Sequence, residues 1–213
     1  MDRVESSVHL KLVQCLRQKV TQSATPGAWR RFTAEEACWI VDALAQAPSE
    51  HPACKAAVQL FAAESLDPGS PLPAPQLACL LRSLVHANMM EDSEATSAML
   101  LLRPQLQQLP TRELASAAWS LAAVTAQKRA GGGSGEKGHP TASERQETPQ
   151  PIEAQTADFA GAAGRELQAR LGNKEERGSP AASVRESEVA EVVWALHVHG
   201  MQDQAAALVQ TVI

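Results

Sequence analysis

The chain has 213 residues, 44% of them hydrophobic, with only 3% aromatic and no Tyr, a poor basis for a β-sheet core, which draws on aromatic and β-branched side chains. Its formal net charge of −5 tells against nucleic-acid binding driven by phosphate neutralisation alone. Four cysteines without a C-x-x-C pair supply neither a disulfide framework nor a zinc pattern, and no apolar run reaches the roughly 18–20 residues of a membrane span.

The apolar residues are mostly Ala and Leu, which lose little conformational freedom in a helix, so the expected fold is all-α. Residues 1–32 are basic, with Arg3, Lys11, Arg17, Lys19, Arg30 and Arg31 against Asp2 and Glu5, and the remainder is acidic. The opening MDRVESSVHLKLVQ has no signal-peptide core, and its early acids do not suit a transit peptide. The expectation is a protein that is not imported, or whose native start lies upstream of Met1. The cysteine usage points to a reducing compartment.

Helical periodicity begins at Val8–Val20. Four segments then align without gaps: Ala37–Leu44, Leu77–Leu84, Leu114–Leu121 and Val189–Leu196. Their starts are separated by 40, 37 and 75 residues (37 to 77, 77 to 114, 114 to 189), a period of about 38 residues with one insertion. Counted from zero at each start, positions 0, 3, 4 and 7 are apolar, one face of a helix. Positions 1 and 6 are small, as a second close-packed face requires: Cys38, Ala78, Ala115 and Ala190, then Ala43, Ser83, Ser120 and Ala195. These are the A helices. Between them lie B helices at Pro52–Leu66, Ser93–Leu109 (with Pro104 breaking it), Thr156–Leu171 and Gln202–Ile213.

Thr33 and Thr111, each followed by glutamates, read as helix caps, and Gly200 as the stop of the last A helix. The Pro-rich run Pro68–Pro75 separates the first and second pairs. The Gly, Ser and Pro-rich residues 128–155 read as a disordered insertion within the third pair, and Asn173–Ser183 as a mobile joint. The expected organisation is residues 1–127 of helical repeats, the insertion 128–155, and residues 156–213 of helical repeats. Together they form an α-α superhelix of about four helix pairs. Because the series opens on a B helix, the chain reads as a fragment of a longer array or one with an atypical cap.

The stretch Leu109–Ala122, LPTRELASAAWSLA, resembles the A helix of an octotricopeptide (OPR) repeat, and Ser187–His197, SEVAEVVWALH, resembles a second copy. The shared features are a Leu-Ala or Val-Ala pair, a Trp and a small-Leu step. The second segment has Arg82 where these have Trp, and the first has Asp42, with Trp39 on another face. The resemblance, which extends to FAST-kinase-like and RAP-domain proteins, implies an α-solenoid that binds single-stranded RNA in a mitochondrion or chloroplast. The roles implied are transcript processing, stability, splicing or translation. Some such proteins are structural parts of mitochondrial ribosomes, so ribonucleoprotein subunits are implied as further partners. No RAP domain is visible, and no nuclease chemistry carries over.

The residues expected to meet RNA bases form a polar stripe at positions 2, 6 and 9 of the A helices: Ser83 and His86 with Arg82 beside them, Ser116 and Ser120, and Glu191. Phosphate contact falls to Arg30, Arg31, Lys11 and Lys19, with Arg17. An ordinary packed or solvated face is the competing reading of the stripe. Trp119 and Trp194 could stack on bases, but beside small residues they read as packing between repeats. Cys38 and Cys79 read as small buried residues. His197 and His199 point about 200° apart on a helix, which suits charge stabilisation of a helix end better than a metal. The tract Gly131–Gly135 lacks the Lys-Ser/Thr ending of a phosphate loop. No catalytic constellation is expected, and neither a cofactor nor a small-molecule substrate.

Overall fold

The computed structural model describes residues 36, 39–41, 52–67, 72–131, 151–172 and 184–212. Among them every regular element is helical. The helices are α1 (Pro52–Ser65), α2 (Ala74–His86), α3 (Asp92–Leu102), α4 (Thr111–Gly131), α5 (Ile152–Gly172), α6 (Glu186–Val198) and α7 (Gln202–Val212), with a 3-10 turn at Arg103–Gln108. Glu36 and residues 39–41 are also helical. The helix expected at Val8–Val20, the cap at Thr33, most of Ala37–Leu44 and the joint at Asn173–Ser183 lie outside the described residues. The chain divides into two compact units, Met1–Gln105 and Leu106–Ile213.

In the first unit, α1 buries Val58, Phe61 and Ala62. Helix α2 starts at the end of the Pro-rich run. Pro75 falls in its first turn, where a backbone N–H has no helical partner to lose. The expected apolar face holds: Leu77, Leu80, Leu81 and Leu84 are buried. The helix closes with Met89 N–H donating to the Leu84 carbonyl (2.9 Å) and Asn88 N–H to that of Val85 (3.0 Å). This paired closure needs a left-handed residue, and Asn88 supplies it with φ 53°. Helix α3 packs back on α2 and carries Asp92 and Glu94 in its first turn, where the helix dipole favours acids. It ends at Leu102, and Pro104 sits in the tighter turn that follows, as its missing N–H demands.

In the second unit, α4 and α5 have 21 residues each and pack together. Helix α4 also packs on α6, α5 on both α6 and α7, and α6 on α7. The two A helices lie against each other, as do the two B helices. Two glycines bring the layers close. A Cβ on Gly164 would stand 3.2 Å from Leu196 Cδ1 and 3.3 Å from Gln204 Nε2, and Gln204 Nε2 donates to the Gly161 carbonyl (2.9 Å). The hydroxyls of Thr125 and Thr156, both buried, meet at 3.0 Å between α4 and α5. Leu121 and Leu196 are fully buried, like Leu84, each burial contributing about 2 kcal/mol.

Helix α6 opens with Arg185 N–H donating to Glu188 Oε2 (2.9 Å) and closes as α2 does. Met201 N–H donates to the Leu196 carbonyl (2.9 Å) and Gly200 N–H to that of His197 (3.0 Å). Gly200, at φ 73°, takes the place of Asn88.

Two local expectations are corrected. Thr111 is not the cap of α4: the Pro110 carbonyl accepts the Leu114 N–H (3.0 Å), so Thr111 is already in the first turn. The stretch 128–155 is also too long as a disordered insertion. Residues 128–131 form the last turn of α4 and 152–155 the first turn of α5, and residues 132–150 lie outside the described residues.

Candidate nucleic-acid interface

The expected polar stripe does not form one surface. Ser116 is buried and Ser120 is fully buried, its Oγ donating to the Ser116 carbonyl at 2.7 Å. Ser83 repeats the arrangement on α2: it is buried and donates to the Cys79 carbonyl at 3.2 Å. Position 6 lies about 60° from position 3 on the helix wheel, at the edge of the apolar face, and a neighbouring helix covers it. A serine there satisfies its hydroxyl on the carbonyl four residues back and packs as a small side chain. Ser83, Ser116 and Ser120 therefore cannot meet RNA while the helices stay packed.

Arg82 and His86 both lie on α2. They are four residues apart and so on one side of the helix; Arg82 is half-buried and His86 exposed. Glu191 on α6 is partly exposed. Lys11, Arg17, Lys19, Arg30 and Arg31 lie outside the described residues. Cys79 is exposed, against the expectation of burial. It stands one residue past the small position that Ala78 fills, and Ala78 is the buried one. Cys38 lies outside the described residues.

Trp119 and Trp194 pack on each other, ring centroids 5.9 Å apart and tilted by 34°, joining α4 to α6. Trp194 is 37% exposed.

Two arginines matter more than the sequence suggested. Arg170, near the end of α5, spends five N–H donors at once. Nε goes to Glu166 Oε1 (2.9 Å), Nη1 to the Leu109 carbonyl (2.7 Å) and Thr111 Oγ1 (3.3 Å), and Nη2 to the carbonyls of Leu106 (3.2 Å) and Gln107 (3.1 Å). It pins the entry of α4 to the end of its partner helix. Arg129, in the last turn of α4, donates Nη1 to the Val198 carbonyl at 2.6 Å. It supplies the positive charge that the C-terminus of α6 favours.

That role was expected of His197 and His199, and the expectation is corrected for His199. His199 is the C-cap residue of α6, and its Nε2 is buried without a hydrogen-bond partner. Burial first, then the adjacent Arg129, hold the imidazole below its ordinary range, with Glu153 opposing in part. His199 is thereby held toward the neutral form. His197 is exposed.

Among the described residues no group of three or more His, Cys, Asp and Glu side chains is placed to hold a metal, and no helix is long and apolar enough to cross a membrane. The candidate contact residues are described unit by unit: Arg82 and His86 on α2 in the first, and Trp194 on α6 in the second. Comparison with family models, with curated proteins and with solved structures finds no match in any of the three.

Proposed function

We propose that this chain is a helical-repeat protein of the octotricopeptide type, an α-α superhelix of about four helix pairs that binds single-stranded RNA in a mitochondrion or chloroplast and acts in transcript processing, stability or translation. One observation carries the repeat reading. The pairs α2–α3 and α6–α7 have the same lengths, 13 and 11 residues, and the same closing turn at equivalent positions. Stacking of like helix on like helix in α4–α7 supports it. In this reading the Arg82–His86 edge and the basic residues Lys11, Lys19, Arg30 and Arg31 meet the RNA, with Glu191 at the rim, and the buried serines set helix spacing. The protein has no catalytic role and needs no cofactor.

Filter binding of single-stranded RNA of mixed sequence, at low and moderate salt, tests this. The expected result is salt-sensitive retention that weakens in Arg82→Ala and His86→Ala. No retention at low salt overturns the reading.

A second reading, a protein-interaction scaffold in an organellar ribosome or ribonucleoprotein, draws on the net charge of −5 and on the apolar side chains exposed along α6 and α7. Partners from an organelle extract that survive RNase treatment favour the scaffold, and partners lost with RNase favour RNA binding.

A further inference from the structure

Three helix ends meet at one corner of the second unit. Helix α4 finishes there with Arg129 in its last turn, α5 starts there with Glu153 in its first turn, and α6 ends there on His199. Arg129 Nη1 donates to the carbonyl of Val198, the residue next to His199, at 2.6 Å. Arg129 from α4 and Glu153 from α5 are the charged groups that act on the His199 ring. Helix α7, which packs on α6, has Asp203 in its first turn, and His197 on α6 itself is exposed.

The corner holds two groups able to carry a positive charge at the same helix end. The C-terminus of a helix favours a cation, and Arg129 fills that place. His199 cannot join it without cost. Its Nε2 is buried without a hydrogen-bond partner, so a charge there would be desolvated and unsatisfied beside a guanidinium. The two cations are not held alike. Arg129 is a long, exposed side chain reaching across to the Val198 carbonyl. His199 sits in a backbone turn locked by the N–H groups of Gly200 and Met201. When a proton arrives, the arginine is the group free to move.

We propose that this corner is a proton-operated latch. A proton from solvent on His199 Nε2 displaces Arg129 from the Val198 carbonyl, the imidazolium takes over the end of α6 with Glu153 as its counter-charge, and the last turn of α4 loosens from α6.

NMR titration of the His199 ring and amide hydrogen exchange of the full chain, from about pH 8 to about pH 5, test the latch. In Arg129→Gln the proton affinity of His199 rises at least about threefold, and in Glu153→Gln it falls. In the wild-type chain, protection of the amides of residues 126–130, corrected for intrinsic exchange, drops at least about threefold as His199 takes its proton. In His199→Gln that drop is absent. Amides of α2, in the first unit, keep their protection throughout. A His199 affinity indifferent to Arg129→Gln overturns the proposal. So does protection at the end of α4 that is unchanged through the titration, a readout that needs no variant to fold. An equal loss of protection in α2 marks general unfolding and overturns it as well.

Discussion

The α2–α3 and α6–α7 pairs and the α4–α5 pair apply the same helix pattern to different problems of closure. In the first two, a turn of a few residues returns the chain, locked by two backbone hydrogen bonds and one left-handed residue. In the third, α4 and α5 run to 21 residues each and residues 132–150 lie between them. The register of this pair comes from contacts distant in sequence: the buried hydroxyls of Thr125 and Thr156, and the clasp of Arg170 on the carbonyls ahead of α4. A helix pair can thus be held by its hinge or by its flanks, and one held by its flanks can accommodate a long insertion at its hinge, since loop closure costs rise slowly with length.

The comparison can be tested by substitution. The largest effects are expected at its shared core. Leu84→Ala and Leu196→Ala occupy equivalent, fully buried positions, and each should cost about 3 kcal/mol in urea denaturation. A large disparity between them would break the equivalence of the two pairs. Next is the flank-held pair. Arg170→Lys cannot reproduce a five-donor fork and should cost about 2 kcal/mol, with faster hydrogen exchange at the entry of α4.

The two turns then predict opposite signs. Gly200→Ala forces a Cβ into φ 73° and should cost about 1 kcal/mol, whereas Asn88→Gly relieves φ 53° and should stabilise by about 0.5 kcal/mol in thermal melts. The smallest effect is a pH dependence. Burial and Arg129 lower the His199 pKa in the folded chain, so the unfolded chain takes the proton more readily. Its contribution is present above the ordinary imidazole value of about 6.5 and is lost as pH falls through the lower folded value. Melting temperature should fall on acidification through that window, and His199→Gln should flatten that part of the profile.

The helices were legible because they depend on periodicity. Pro52, Thr156 and Gln202 were placed at or inside the helices observed, Pro104 broke its helix, and Gly200 ended its own. The burial of Leu84, Leu121 and Leu196 followed from the same spacing. The ends of α4 and α5 were hidden by composition: Lys128–Gly131 reads as the start of a polar linker but continues a helix already begun. The left-handed Asn88 leaves no such mark, because only glycine announces that conformation clearly. The serines at positions 83, 116 and 120 misled for a chemical reason: a hydroxyl looks polar in sequence, yet one that bonds its own helix is inert. Arg129, Arg170 and His199 act through groups on other helices, and sequence spacing carries no trace of those distances.

The Arg170 clasp bears on any measurement with a polyanion. Cations available to displace counterions from a phosphate backbone set how steeply affinity falls with added salt. A guanidinium with five N–H groups already engaged, and a carboxylate beside it, offers nothing to that exchange. Under the proposed RNA-binding function the salt dependence should therefore be shallower than the tally of Lys and Arg implies, and Arg170→Gln should weaken the fold while leaving that slope where it was.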